Sequence, residues 1–143
     1  MLQRETLRNF FSQLRMRTPF SFMGATALSI TVAVNWGTGS CSSAGGCSVT
    51  SSTETMTVPA GSPGTIKLAD DAGGGATPSW SKNGGGNTSW TGGGTTTVSV
   101  VTNDTITLRL TGIGAGPSTQ TITVTDNTTN AAIGTFAGTN THA

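Results

Sequence analysis

The sequence predicts an all-β sandwich that follows a short basic arm. Among its 143 residues, 29 are Thr and 21 are Gly. Thr is β-branched and favours strands, whereas Gly favours turns. From Leu28 onward, apolar and polar residues alternate with a period of two in several segments, at the roughly 8–12-residue spacing typical of sandwiches and barrels. We therefore divide the chain into an arm, residues 1–27, and one β domain, residues 28–143, with about seven to nine strands.

The arm has the pattern of an amphipathic helix. Its apolar residues fall at i, i+3, i+4 and i+7, which is one helical face, and Thr18-Pro19 would end the helix. The same segment contains four arginines and one Glu, so it is basic. We predict that this segment anchors the protein to a partner, although such a helix can also cover its own domain or lie on a membrane surface. The anchoring residues are Leu7, Phe10, Phe11, Leu14, Arg4, Arg8, Arg15 and Arg17.

The apolar run from Phe20 to Val34 has a second interpretation, a secretion signal behind a basic start. Against it, no small-x-small cleavage site follows Val34. A membrane-spanning helix is disfavoured because the run is interrupted by polar residues and barely reaches the length that a bilayer requires. The strict alternation from Leu28 to Trp36 predicts instead that this stretch is the first strand.

Further strands follow from the same alternation. A hairpin is predicted where Ser79-Trp80-Ser81 and Thr88-Ser89-Trp90 flank a Gly-rich turn. The other predicted strands are Val49 to Val58, Thr65 to Leu68, one around Val98 and Val100, Ile106 to Leu110, Ile122 to Val124, and Ile133 to Phe136.

Two adjacent segments also carry a family resemblance. Asn103-Asp104-Thr105 forms a corner before Ile-Thr-Leu-Arg-Leu-Thr, and residues 121–125 have the sequence Thr-Ile-Thr-Val-Thr. This pair of segments resembles immunoglobulin-like modules of tailed-phage virion proteins and bacterial surface proteins. The resemblance implies an antiparallel immunoglobulin-like sandwich in a virion or at a cell surface.

The two cysteines, Cys41 and Cys47, lie between the first two predicted strands. Zinc binding is disfavoured because the spacing is not Cys-x-x-Cys and no His is near. We expect a disulfide that ties a hairpin together, with free thiols as the alternative if the protein is assembled in a bacterial cytoplasm.

The sequence offers few groups for catalysis. Its one His is His142, it has no Tyr, and its six acids lie mostly at predicted turns. Asp70-Asp71 could contribute to a calcium site, but such a site needs six to eight oxygens, and we favour a role for these residues in turns. We therefore predict no enzymatic activity, no cofactor and no metal.

Two surface features could contact a ligand. Trp80 and Trp90 could stack on sugars, and outward Thr residues could form a flat face suited to glycan or ice. The favoured alternative is that Trp fills the core and Thr covers the solvent side of strands. The Thr residues in question are Thr105, Thr107, Thr111, Thr121, Thr123 and Thr125.

The leading functional hypothesis is a non-enzymatic virion structural protein: a capsid decoration, head-fibre or tail-associated subunit. Residues 1–27 would contact capsid or tail proteins, in a homo-oligomer or a larger assembly. The net charge of +1 argues against nucleic-acid binding. The alternative is a secreted or cell-surface adhesin that binds host-surface glycans, with residues 20–34 as its signal or anchor.

Overall fold

The computed structural model describes residue 30, residues 34–60 and residues 64–143. Within these residues there are nine strands and no helix. The strands are β1 (Thr38–Cys41), β2 (Cys47–Thr55), β3 (Thr65–Asp70), β4 (Thr77–Lys82), β5 (Thr88–Ser89), β6 (Thr95–Ser99), β7 (Thr105–Ile113), β8 (Ser118–Asp126) and β9 (Ala132–Asn140). The arm, including its predicted helix and all of its anchoring residues, lies outside the described residues.

The strands form two sheets. One has five strands in the order β1-β9-β8-β3-β6, and the other has four in the order β2-β7-β4-β5. Every neighbouring pair is antiparallel except β1 and β9, which run parallel. The prediction of an all-β sandwich is confirmed at this level. No helix in the described part of the chain is long and apolar enough to span a bilayer.

The core lies between the sheets and follows the predicted alternation. Ile106, Leu108 and Leu110 of β7 are fully buried, while the residues between them are more exposed. This is the period-two pattern of a strand with one face against the core. The other residues predicted to point inward are also buried: Val98, Val100, Ile122, Val124, Ile133 and Phe136.

The β4–β5 hairpin is also confirmed. Ser79 pairs with Ser89, and Trp80 pairs with Thr88. The turn begins with Asn83 at φ 54° and Gly84 at φ 70°, the two positive angles that favour Asn-Gly in tight hairpins.

The first strand, in contrast, was predicted at the wrong place. Residues 34–37 are not in a strand, and β1 begins only at Thr38. Even so, Ile30, Val34 and Trp36 are buried, so the alternation correctly predicts which of these side chains enter the core. We call residues 34–37 the strap.

The hydrogen bonds of the strap explain why it is not a strand. Val34 N–H donates to the carbonyl of Ile133, in the five-stranded sheet, at 2.8 Å. The carbonyl of Trp36 accepts from the N–H of Ser52, in the four-stranded sheet, at 3.3 Å. Gly37 returns to the five-stranded sheet, where its carbonyl accepts from the N–H of Ala137 at 3.3 Å. Because the hydrogen bonds of the strap alternate between the two sheets, it forms a regular ladder with neither. The Trp36 indole enters the core, where Nε1 donates to the carbonyl of Ile106 at 3.1 Å.

The sandwich has two distinct ends. The entry pole contains Ile30 and the turn after β8, because the Ile30 N–H reaches the Asp126 carboxylate. The distal pole contains the loop between Cys41 and Cys47 and the end of β9 at Asn140. Since β9 runs from one pole to the other with nine residues, the poles are on the order of 25 Å apart.

Candidate functional surfaces

Asp126 fixes the chain where it enters the domain. One carboxylate oxygen accepts the Ile30 N–H at 2.6 Å, and the other accepts the N–H groups of Thr128 and Thr129 at 2.7 and 3.0 Å. Burial acts to raise the pKa of Asp126, but these hydrogen bonds outweigh it and hold the pKa below its ordinary value. The carboxylate is therefore charged at neutral pH and joins residues 96 positions apart.

Asp104 has a similar role at the corner before β7. Asn83 Nδ2 donates to one carboxylate oxygen at 2.7 Å, and the Val101 N–H donates to the other at 3.0 Å. Lys82 Nζ lies 3.5 Å from the second oxygen. The Asn83 hydrogen bond, followed by that of Val101, lowers the pKa of Asp104, while burial acts in the opposite direction and Lys82 adds a smaller lowering effect.

Asp70 and Asp71 hold the loops at the distal pole. Asp70 accepts from Gln120 Nε2 at 2.8 Å and from the Gly93 N–H at 2.8 Å, and Asp71 accepts from the Thr121 N–H at 2.9 Å. The described residues contain no group of three or more His, Cys, Asp and Glu placed to hold a metal ion. These hydrogen bonds agree with a role for Asp70 and Asp71 in turns.

Cys41 and Cys47 form a disulfide, with their Cα atoms 6.1 Å apart. The expectation that it ties a hairpin is wrong, because β1 belongs to the five-stranded sheet and β2 to the four-stranded sheet. The disulfide therefore joins the two sheets at the distal pole.

Asn140 holds the same loop, and sequence reasoning missed it. Its side chain is fully buried and donates to the carbonyls of Ser43, Ile113 and Gly114 at 2.9, 3.2 and 3.0 Å. The side-chain oxygen Oδ1 of Asn140 accepts from the N–H of Ser43 at 3.2 Å. One signal could have found it: Asn140 continues the inward series of Phe136 and Gly138 along β9, where a polar side chain requires partners.

The predicted Thr rows do not form one face. Thr105, Thr107 and Thr111 lie on β7 of the four-stranded sheet, whereas the row from Thr121 to Thr125 lies on β8 of the five-stranded sheet. The sandwich therefore has two separate hydroxyl-rich faces on opposite sides.

The two tryptophans are half-buried against the core, in the place that the alternative to sugar stacking predicts. Trp90 Nε1 donates to the Gly94 carbonyl at 3.2 Å, while the buried Nε1 of Trp80 has no hydrogen-bond partner. Any contact between these residues and glycan stays a prediction.

The outer face of the four-stranded sheet carries one charged residue at its centre. Arg109 of β7 lies directly between Thr50 of β2 and Ser79 of β4 in the pairing register. Its neighbours along β7 on this face are Thr107 and Thr111. Since the alternate residues of β7 are the buried ones, the Arg109 side chain is on the outer side.

The outer face of the five-stranded sheet has a different character. Thr119 and Thr139 pair across β8 and β9, with their hydroxyl oxygens 2.9 Å apart. Its cation is Lys67, whose Nζ donates to Asn130 Oδ1 at 3.1 Å. The charge on this face therefore already has a polar partner within the domain.

Comparisons of the chain with protein-family models, curated proteins and solved structures find no match.

Proposed function

We propose that this chain is a non-enzymatic structural subunit of a virion, in which residues 1–27 anchor a displayed immunoglobulin-like domain. The observation that carries the proposal is that the two poles of the sandwich have different roles. The chain enters the domain at Ile30, at one pole, while the disulfide loop and Asn140 lie at the other. A domain built this way projects its distal loops away from whatever holds the arm.

The strand arrangement supports an immunoglobulin-like topology. In that fold strands B and E are neighbours in one sheet, and strands C, F and G are neighbours in the other. Here β2 and β7 are neighbours in one sheet, and β3, β8 and β9 are consecutive in the other. Three features depart from the pattern: β1 lies beside β9 instead of beside β2, β6 lies beside β3, and the disulfide is at a pole instead of between strands B and F.

The environments of the acidic residues support a structural role. Each carboxylate in the described part of the chain accepts a hydrogen bond from a nearby backbone or hydroxyl group. Hydrogen bonds of this kind hold turns and strand ends in place, which is a structural use of a carboxylate. The residues are Glu54, Asp70, Asp71, Asp104 and Asp126.

The arm supplies the chemistry for anchoring. Its apolar face can pack into a groove on a neighbouring subunit, and its arginines can pair with acids at the rim of that groove. The neighbouring subunit that provides this groove could be a second copy of the chain or a capsid or tail protein. Of these two kinds of docking, only self-assembly can be measured on the purified chain alone.

The test compares the full chain with the double variant Phe10→Ser/Phe11→Ser by sedimentation velocity. We expect the wild-type chain to form oligomers and the double variant to be monomeric, because the variant loses the centre of the apolar face. Val101→Ser is the matched control, since Val101 is 65% exposed and lies outside the arm. A monomeric wild-type chain in which residues 1–25 are already ordered, or assembly that survives the double substitution, would contradict anchoring through the arm.

The second candidate is the secreted adhesin, and the disulfide is the observation that favours it. Disulfides persist in oxidising environments such as the periplasm and the extracellular space. Signal removal near residues 33–36 would, however, detach Ile30 from Asp126 and take Val34 out of the core. Mass spectrometry of the native N-terminus separates the two: cleavage near residues 33–36 supports secretion, whereas a retained arm supports the virion proposal.

A further inference from the structure

Arg109 is the starting point for a binding site on the outer face of the four-stranded sheet. No described residue accepts a hydrogen bond from its guanidinium, and its Nε is covered yet has no partner. The one salt bridge among the described residues is between Lys82 and Asp104, so Arg109 has no carboxylate partner there. A covered donor without a partner is uncommon, because folded proteins usually satisfy such groups.

The surroundings of Arg109 are rich in hydroxyl groups. Thr53 and Thr107 pair across β2 and β7 with their hydroxyl oxygens 2.7 Å apart, which fixes one edge of this surface. Ser79, opposite Arg109, is only 3% exposed, so a small residue is recessed beside the guanidinium. We name this surface the Arg109 face; its hydroxyl residues are Thr50, Thr53, Thr105, Thr107, Thr111, Thr77, Ser79 and Ser81.

We propose that the Arg109 face binds an acidic saccharide, with the guanidinium holding the carboxylate of the sugar. Arg presents planar N–H groups that fit a carboxylate with two parallel hydrogen bonds. Hydroxyl side chains both donate and accept, as sugar hydroxyls do. An acidic protein is the less suitable ligand, because the described residues of this face include no apolar or aromatic side chain to act as the buried anchor of a protein interface. The site uses none of the anchoring residues and neither Trp80 nor Trp90, so its test is independent of the anchoring proposal.

The experiment measures binding of the full-length protein to a glucuronic-acid oligosaccharide by isothermal titration calorimetry. A neutral glucose oligosaccharide of the same length and polyglutamate are the comparison ligands. The variants are Arg109→Gln, Arg109→Lys and, as the matched control, Lys67→Gln on the opposite sheet. Thermal unfolding of each variant shows whether it is folded.

We expect the uronic-acid oligosaccharide to bind on the order of tenfold more tightly than the neutral one, and Arg109→Gln to lose that difference. Arg109→Lys keeps the charge but not the planar fork, so we expect a partial loss. Lys67→Gln should bind as the wild type does. If Arg109→Gln does not fold, Arg109→Lys provides the test. Wild-type affinity in Arg109→Lys would contradict recognition of the sugar carboxylate by the planar guanidinium.

Three results would overturn the proposal. The first is the absence of binding to the uronic-acid oligosaccharide. The second is equal binding of acidic and neutral sugars, or equal binding by the wild type and Arg109→Gln. The third is tighter Arg109-dependent binding to polyglutamate, which would assign the face to an acidic protein.

Discussion

Asp126 and Asn140 are buried polar side chains at opposite poles of the sandwich. Asp126 holds the entry of the chain at Ile30, and Asn140 holds the disulfide loop at Ser43. Both connect segments that are nearly a hundred residues apart in sequence. The loops of this domain are therefore fixed by individual buried hydrogen-bonding residues, in addition to the apolar core.

The first prediction concerns the role of Asp126. Asp126→Ala leaves three backbone N–H groups without their charged acceptor, and we expect the free energy of unfolding to fall by about 2 kcal/mol or more. Urea unfolding followed by Trp fluorescence measures the change. Asp71→Ala is the control, because Asp71 also accepts two backbone N–H groups but is exposed to water. A loss in Asp126→Ala no larger than in Asp71→Ala would contradict the importance of burial.

At the scale of elements, the strap and the disulfide loop close the space between the two sheets. The strap does so along the side of the sandwich, by bonding to β9 and to the edge strand β2. The disulfide does so at the distal pole, by joining β1 to β2. Each contacts both sheets, so each stabilises their packing against one another.

The second prediction concerns the fit of the strap over β9. A Cβ added at Gly134 would collide with the carbonyl oxygen of Val34 and lie 3.0 Å from the Trp36 ring. Since backbone atoms cannot move aside locally, we expect Gly134→Ala to lower the free energy of unfolding by about 2 kcal/mol. Hydrogen exchange at the Val34 N–H should become faster in the variant. Gly86→Ala is the control: a Cβ there has nothing within 4 Å, and we expect wild-type stability.

The third prediction concerns the disulfide loop. Replacing both cysteines by Ser should lower the free energy of unfolding by about 2 kcal/mol, because a short closed loop restricts the unfolded chain only modestly. Asn140 still holds the loop through Ser43, so the variant should remain folded. Reductant should lower the stability of the wild type to that of the double variant and leave the variant unchanged. Unfolding of the reduced protein in the absence of denaturant would show that Asn140 does not suffice.

At the scale of the whole molecule, acid should destabilise the sandwich through Asp126 at the entry pole and Asp104 at the corner before β7. The pKa values of Asp104 and Asp126 are lowered in the folded state, so the unfolded chain binds more protons near pH 4. Their contribution to stability is therefore complete above the ordinary Asp pKa of about 3.9 and is lost as pH falls through the lower folded pKa values.

The fourth prediction tests this sign. The thermal midpoint of the wild type should fall as pH drops below about 4. Asp104→Asn cannot take up the proton, so it should be less stable at neutral pH and lose less stability on acidification. Differential scanning calorimetry from pH 7 to pH 2 measures both, with Asp71→Asn as the control for an exposed carboxylate. Parallel pH profiles of the wild type and Asp104→Asn would contradict the role of Asp104.

The candidate surfaces could be predicted only in part. The sequence indicates that Arg109 points outward from β7, since its neighbours Leu108 and Leu110 are apolar. It does not indicate that Thr50 and Ser79 lie beside Arg109, because pairing register depends on contacts between distant strands. For the same reason, the two Thr rows could not be assigned to different sheets from the sequence.

By itself, the sequence determined the all-β class, the inward positions of the strands and the β4–β5 hairpin. These features depend on local alternation and on turn residues such as Asn83-Gly84, which act over a few positions. Only the tertiary structure decided that residues 34–37 form a strap, that the disulfide joins two sheets, and that Asn140 and Asp126 hold the poles. Each of these depends on partners far away in the chain, such as Ile133 for Val34, and a period of two contains no information about which distant strand becomes the neighbour.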